Sequence, residues 1–258
     1  MHTVIYDGSF AGLLSAVFDV YEYKMQDVRL VPPGQPVSSL FGSIHTAPAD
    51  IVKAGRVWKG LEQYSSLQAL RNLRAAFFAG TRGNEDVLLA YIRYVFTAKK
   101  AVERDYSHAA VIAVSQTAHK VRREKHRMEA FVRFQLTKDQ LYYAIIQPDY
   151  NVLPLISDHF EKRYADQRWL IYDALRRYGI YYDLHSVEEV SMDFDLAPHD
   201  AAIATIHDEK EALYQALWKQ YFDSVNIASR KNTKLHIRHM PRRYWKYLPE
   251  KQPRTAHR

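Results

Sequence analysis

The chain has 258 residues, with 36 Lys+Arg against 29 Asp+Glu for a formal net charge of +7, 12 His and no Cys. Its 47% hydrophobic and 25% charged content is that of an ordinary globular chain, long enough for one large core or two small ones. The missing Cys excludes a disulfide scaffold, a Cys-ligated zinc or iron–sulfur site and a thiol nucleophile; no apolar run approaches the roughly 20 residues that span a bilayer.

The N-terminal segment Met1–Asp7 lacks the basic start and apolar stretch of a signal peptide, so a cytoplasmic protein is expected. His2 to Tyr6 reads as a short strand, closed by the turn signal Asp7-Gly8-Ser9. Ser9 is placed to cap a helix whose Phe10, Leu13, Leu14, Val17, Phe18 and Tyr21 form one apolar face. Residues 30–48, rich in Pro, read as an irregular connector. Helical spacing then returns over Ile51–Leu61, Leu67–Phe78, Glu85–Phe96 and Ser107–Arg127. In the last of these His119, Arg122, Arg123 and His126 share one side.

At Ala130 the pattern changes. Phe131–Leu136 and Leu141–Ile146 around Thr137-Lys138-Asp139 predict a hairpin. Asn151 is a candidate cap for a helix to about Tyr164, with Pro154 tolerated in its first turn. Trp169–Tyr172 and Gly179–Tyr182 predict a second hairpin. The order ββαββ, with the N-terminal strand, predicts an α+β fold: an antiparallel sheet packed with a largely helical N-terminal half and a C-terminal helix. That helix is placed near Glu209–Phe222. A single large domain over 1–250 is expected: helical part about 9–128, sheet part about 130–191, C-terminal helix and basic segment about 208–250. Residues 251–258 are expected to be a disordered tail.

The charge is uneven. Residues 229–258 hold ten Lys+Arg and one acid, Glu250, while the other 228 residues hold 26 bases and 28 acids, a net of −2. Lys120–Arg133 has six bases and two acids; Asp183–Glu211 has nine acids and one base. Such blocks suggest binding surfaces. In the tail, Arg230, Lys231, Arg242 and Arg243 could attract phosphates, and Tyr244 and Trp245 offer rings for stacking on unpaired bases. The competing reading docks the tail on the chain's own acidic stretch with its aromatics buried. Arg122, Arg123 and Arg127 form a second basic group, equally readable as a solvated helix end that favours the dipole.

Catalytic and cofactor signatures are sparse. HExxH, DxDxDG, GxGxxG, P-loop and GxSxG patterns are all absent, and no metal or cofactor is expected. Asp7, His126, Asn151, His159, Arg163 and Asp173 are the candidates for an acid/base and anion-binding site if the chain is an enzyme; whether it is catalytic stays open.

Ordered motifs along the chain carry a resemblance. They are Tyr6-Asp7-Gly8-Ser9-Phe10, Arg123-Glu124-Lys125-His126-Arg127-Met128 and Pro148-Asp149-Tyr150-Asn151-Val152-Leu153-Pro154. Further on come Trp169-Leu170-Ile171-Tyr172-Asp173, Arg230-Lys231-Asn232 and Met240-Pro241-Arg242-Arg243-Tyr244-Trp245. Together they resemble the bacterial "probable DNA metabolism protein" family, built around a domain of unknown function. Its members are encoded beside a DNA-repair or DNA-modification radical-SAM protein, and related domains occur fused to uracil-DNA-glycosylase-like domains. The resemblance implies a DNA partner and a radical-SAM partner, and it carries no catalytic residues with it. Any radical-SAM cluster would belong to the partner, since this chain has no Cys. The leading expectation is therefore a DNA-binding protein of DNA metabolism or repair. The alternatives are a nucleobase- or nucleotide-acting enzyme and a protein-assembly adaptor.

Overall fold

Alternation and helical spacing lie close together in the first hundred residues, and a parallel sheet wrapped by helices is what they build. A computed structural model describes residues 1–36, 42–138, 140–191, 237 and 240–251. The chain divides into two compact units, Met1–Arg122 and Arg123–Arg258.

In the first unit β1 (His2–Tyr6) lies between β2 (Val28–Val31) and β3 (Ser43–Ala47), both parallel to it. Thr3 and Val4 point to opposite faces of β1 and are 3% and 0% exposed, so both faces are covered, as parallel sheets require. Helices α1 (Phe10–Glu22) and α4 (Asn84–Ala98) pack on the sheet, while α2 (Ile51–Tyr64) and α3 (Leu67–Phe77) pack on those helices. Ser9 caps α1 as expected, its hydroxyl accepting from the Gly12 amide at 2.9 Å.

The buried side of α1 is turned relative to the expected one. Leu13, Leu14, Ala16, Val17 and Val20 are buried, whereas Tyr21 stays 45% exposed. Full burial of each large aliphatic side chain contributes roughly 1.5–3 kcal/mol. Asp19 is buried on the same helix because His45 and Lys53 reach it. His45 Nε2 on β3 lies 2.7 Å from Oδ2, and Lys53 Nζ on α2 lies 2.7 Å from Oδ1. Burial alone would raise the Asp19 pKa; the bonds from His45 and Lys53 outweigh it and hold the carboxyl below its ordinary range.

Two expectations are corrected here. Residues 30–48 are not simply irregular, since β2 ends and β3 lies within them, and the N-terminal strand belongs to its own parallel sheet. A short strand beside a Pro-rich run gives little period-2 signal, and its partner is distant in sequence.

Helix α5 (Ala109–Phe131) leads into the second unit. There the strands β4 (Gln135–Leu136), β5 (Tyr142–Ile146), β6 (Trp169–Asp173), β7 (Tyr178–Tyr182) and β8 (Val187–Ser191) form one sheet in sequence order. The pairs β4–β5, β6–β7 and β7–β8 are antiparallel, but β5 and β6 are parallel. The sheet is therefore mixed, correcting the antiparallel expectation. The reason is α6 (Leu153–Arg163): a helix joining neighbouring strands returns the chain in the same direction. The first strand of the expected hairpin shrinks to two residues, because α5 continues to Phe131.

Asn151 is not the cap; Val152 holds that position, without a side-chain bond. Trp169, 0% exposed, centres an aromatic core with Phe134, Phe160 and Tyr182. Gly179 is needed beside it, since a Cβ there would meet the Ile171 carbonyl oxygen at 2.9 Å. Edge strand β8 exposes Glu188 and Glu189, a charge pattern that discourages pairing with another chain.

The expected helix at Glu209–Phe222, residues 192–211 of the acidic stretch, Arg230, Lys231 and 252–258 lie outside the described residues. Among the described residues, no helix is long and apolar enough to cross a membrane.

Candidate functional site

The second unit carries a buried carboxylate that organises a cationic cleft. Glu124, on α5, is 2% exposed. Its Oε1 accepts from the Tyr244 hydroxyl at 2.5 Å and from the Asp149 amide at 2.9 Å. Its Oε2 faces Arg243 at 3.3 Å and Arg127 at 3.6 Å. A charge this deep is tolerable only with such a set of partners. Together they clamp the 3₁₀ segment Arg242–Tyr247 to the unit.

Tyr244 is the anchor of that segment. It is 3% exposed, and burial, reinforced by the adjoining Glu124 charge, pushes its hydroxyl pKa well above the ordinary value. Its ring faces Phe131 and carries the Arg243 guanidinium at 4.5 Å from the centroid. Those contacts leave the Tyr244 ring no open face for a base. Desolvation works against the Arg243 charge, but Tyr244, Glu124 and Asp149 outweigh it and raise the pKa.

With Tyr244 turned inward, Arg242, Arg243 and Lys246 line a cleft of about 440 Å³ together with Gln147, Pro148, Asp149 and Leu175. Arg243 Nη2 meets Asp149 Oδ2 at 2.6 Å. Among the described residues, no carboxylate lies within ion-pair distance of Arg242, whose guanidinium sits 5.8 Å from the Trp245 ring centroid. Lys246 and Tyr247 both donate to the Gln147 Oε1. Trp245 is half-buried; its indole N–H donates to the Met240 carbonyl at 3.0 Å, and Lys251 lies 5.2 Å from its ring.

The opposite lip is held from below. Asp173 is 0% exposed and accepts from the Leu175 and Arg176 amides at 2.9 and 3.2 Å. Its Oδ2 also meets Arg176 Nη1 at 2.8 Å. Arg176 in turn donates to the Pro148 and Asp149 carbonyls at 3.1 and 2.9 Å. Asp173 thus positions the turn and, through Arg176, the Pro148–Asp149 lip. A lip fixed by charge-assisted bonds meets a ligand without first being ordered.

The other candidate residues fall in separate places. His126, 87% exposed, and His159 each lie 3.9 Å from Glu129, which Lys125 also bonds. Asn151 accepts from the Tyr178 hydroxyl. Arg163 packs against the Tyr164 ring at 5.7 Å from its centroid. Asp7 lies in the first unit, where it accepts from the Ser9 amide and hydroxyl at 2.9 and 2.8 Å. Arg122, also in the first unit, donates to Asn72, and Arg123 is exposed. No group of three or more His, Asp or Glu among the described residues could hold a metal ion.

Sequence reasoning missed Glu124, Lys246, Gln147, Asp149 and Arg176. An acid inside a basic run was the only available signal for Glu124, and Lys246 stood within the tail's charge.

The site is thus a cleft lined by arginine and lysine on a mixed α/β unit. Residues 82–250 match the model of DUF4130, a domain of unknown function, and the chain belongs to that family. No curated protein matches it. One solved structure similar to it is a pGpG-specific phosphodiesterase, PggH from Vibrio cholerae. That likeness has a TM-score of 0.36 and 11% sequence identity, covering 85% of this chain and 98% of the other.

Proposed function

We propose that this protein binds DNA through the cleft beside Arg242–Tyr247 and serves a radical-SAM enzyme of DNA repair or modification. The observation that carries the DNA half is the convergence of Arg242, Arg243 and Lys246 on one cleft. Three cations against the single carboxylate of Asp149 favour phosphate, and each contact adds salt-sensitive affinity. The motif resemblance supports the partner half.

Binding to a labelled oligonucleotide, followed by anisotropy over a salt series, tests the first half. The full chain binds at low salt, and its log affinity falls linearly with log salt. Arg242→Ala with Lys246→Ala weakens binding to any sequence and reduces the salt slope by about two. Unchanged affinity in that double variant, or no binding at low salt, refutes the assignment.

For the partner half, the radical-SAM protein co-purifies with this chain from nuclease-treated lysate. Loss of the association after nuclease treatment means that DNA alone bridges the two, and direct service to the enzyme is then wrong.

A further inference from the structure

A cleft that served only as a phosphate rail would need no carboxylate, no side-chain amide and no apolar floor. This one has all three, beside its cations. At about 440 Å³ it has the size of a small-molecule pocket, large enough for one nucleotide. Leu175, 54% exposed, lines it and offers apolar surface against which a base can lie.

Asp149 supplies the one carboxylate among the lining residues, with its side chain 50% exposed. A carboxylate there repels phosphate, so it needs a positive reason to be present. It accepts hydrogen bonds only, so it disfavours a base edge rich in carbonyl oxygens and favours an exocyclic amino group with its two N–H donors, as on cytosine. The Asp149 backbone is fixed twice, by its amide to Glu124 at 2.9 Å and by its carbonyl to Arg176 at 2.9 Å. Its carboxylate is therefore presented at a set position. Gln147 adds direction: its Oε1 takes bonds from Lys246 and Tyr247, which leaves its amide N–H groups as the side available to a ligand.

We infer that the cleft holds one unpaired nucleotide, with the phosphate on Arg242 and Lys246 and the base selected by Asp149 for an exocyclic amino group. This rests on the DNA-binding reading above and deepens it. In a duplex one N–H of that amino group still faces the major groove, but both base faces are stacked, so the base cannot enter a cleft of nucleotide size. A single strand or an extruded nucleotide is thus the substrate form. Arg243 is the shared member: its Nη2 meets Asp149, Glu124 and the Tyr244 hydroxyl, and it keeps the Glu124 contact when a base amino group takes up the Asp149 carboxylate.

The test compares oligo(dC) with oligo(dU) of equal length, since these pyrimidines differ at C4 by amino against carbonyl, and adds a fully paired duplex. Anisotropy with the full chain at one fixed salt gives oligo(dC) about tenfold tighter than oligo(dU), the scale of one hydrogen bond to a charged group. The duplex binds more weakly than oligo(dC).

Asp149→Ala abolishes the difference between the two strands. It also strengthens oligo(dU) binding, because a charge that repels phosphate is gone. A purely structural role for Asp149 would instead weaken both strands together. Equal affinities in the wild type, discrimination that survives Asp149→Ala, or a duplex bound as tightly as oligo(dC) overturns the inference while leaving DNA binding standing. Absence of binding to every oligonucleotide at low salt removes the underlying reading instead.

Discussion

At the scale of single residues, Glu124 decides what the basic tail can do. Read along the sequence, Tyr244 and Trp245 are equivalent aromatic neighbours of arginines. In space they part: Tyr244 is 3% exposed with its hydroxyl on Glu124, while Trp245 remains half-buried beside Arg242 and Lys251. The separation comes from a contact 120 residues apart in sequence, which no local pattern encodes. Removing only the hydroxyl isolates its contribution. Tyr244→Phe keeps the ring packing but withdraws one of the donors to a buried carboxylate, which costs about 2 kcal/mol. Urea denaturation monitored by circular dichroism shows this as a lower midpoint with an unchanged slope. A midpoint equal to that of the wild type would mean that Arg243, Arg127 and the Asp149 amide satisfy Glu124 by themselves.

At the scale of elements, what was readable was local. The Ser9 cap, the helical spacing of α2 to α5 and the aromatic and β-branched runs of β6 and β7 depend on neighbours within a few residues, and the structure has all of these elements. Strand pairing was not readable, because period-2 alternation places side chains on faces without naming a partner or a direction. The helix between β5 and β6 held the missing information, since neighbouring strands joined by a helix run parallel. Asp7-Gly8-Ser9 shows how much a short turn can be asked to do. Gly8 adopts φ of +86°, Ser9 caps α1, and Asp7 packs so closely on Gly12 that a Cβ there would stand 1.9 Å from its Oδ1. The sequence marked the turn and the cap; the close approach at Gly12 depended on where the Asp7 side chain turned. Of the candidate site, the arginines of the 3₁₀ segment were readable as charge. Their facing lip was not, because Asp173, Arg176 and Pro148–Asp149 act through bonds between separated segments.

For the molecule as a whole, the net charge of +7 bears differently on function and on stability. The proposed DNA binding draws on the C-terminal cations that line the cleft. Stability draws on buried carboxylates held by partners, and among the described residues Asp19 is buried with its pKa lowered by His45 and Lys53. A carboxyl with a folded pKa below its unfolded value of about 3.9 contributes stability that is fully present above that value and is lost as pH falls through the folded pKa. Acid also protonates other carboxylates of an already positive chain, so self-repulsion grows in the same direction. The thermal midpoint is therefore expected to hold from pH 7 to about 5 and to fall steeply below about 4. Asp19→Asn separates the two causes. It loses about 2 kcal/mol at pH 7, because His45 and Lys53 lose their buried carboxylate. Its midpoint then declines less steeply below pH 4, since only the general repulsion remains. Calorimetric scans of both proteins at pH 7, 5, 4 and 3 decide it: parallel curves for wild type and variant would place the acid sensitivity elsewhere than Asp19.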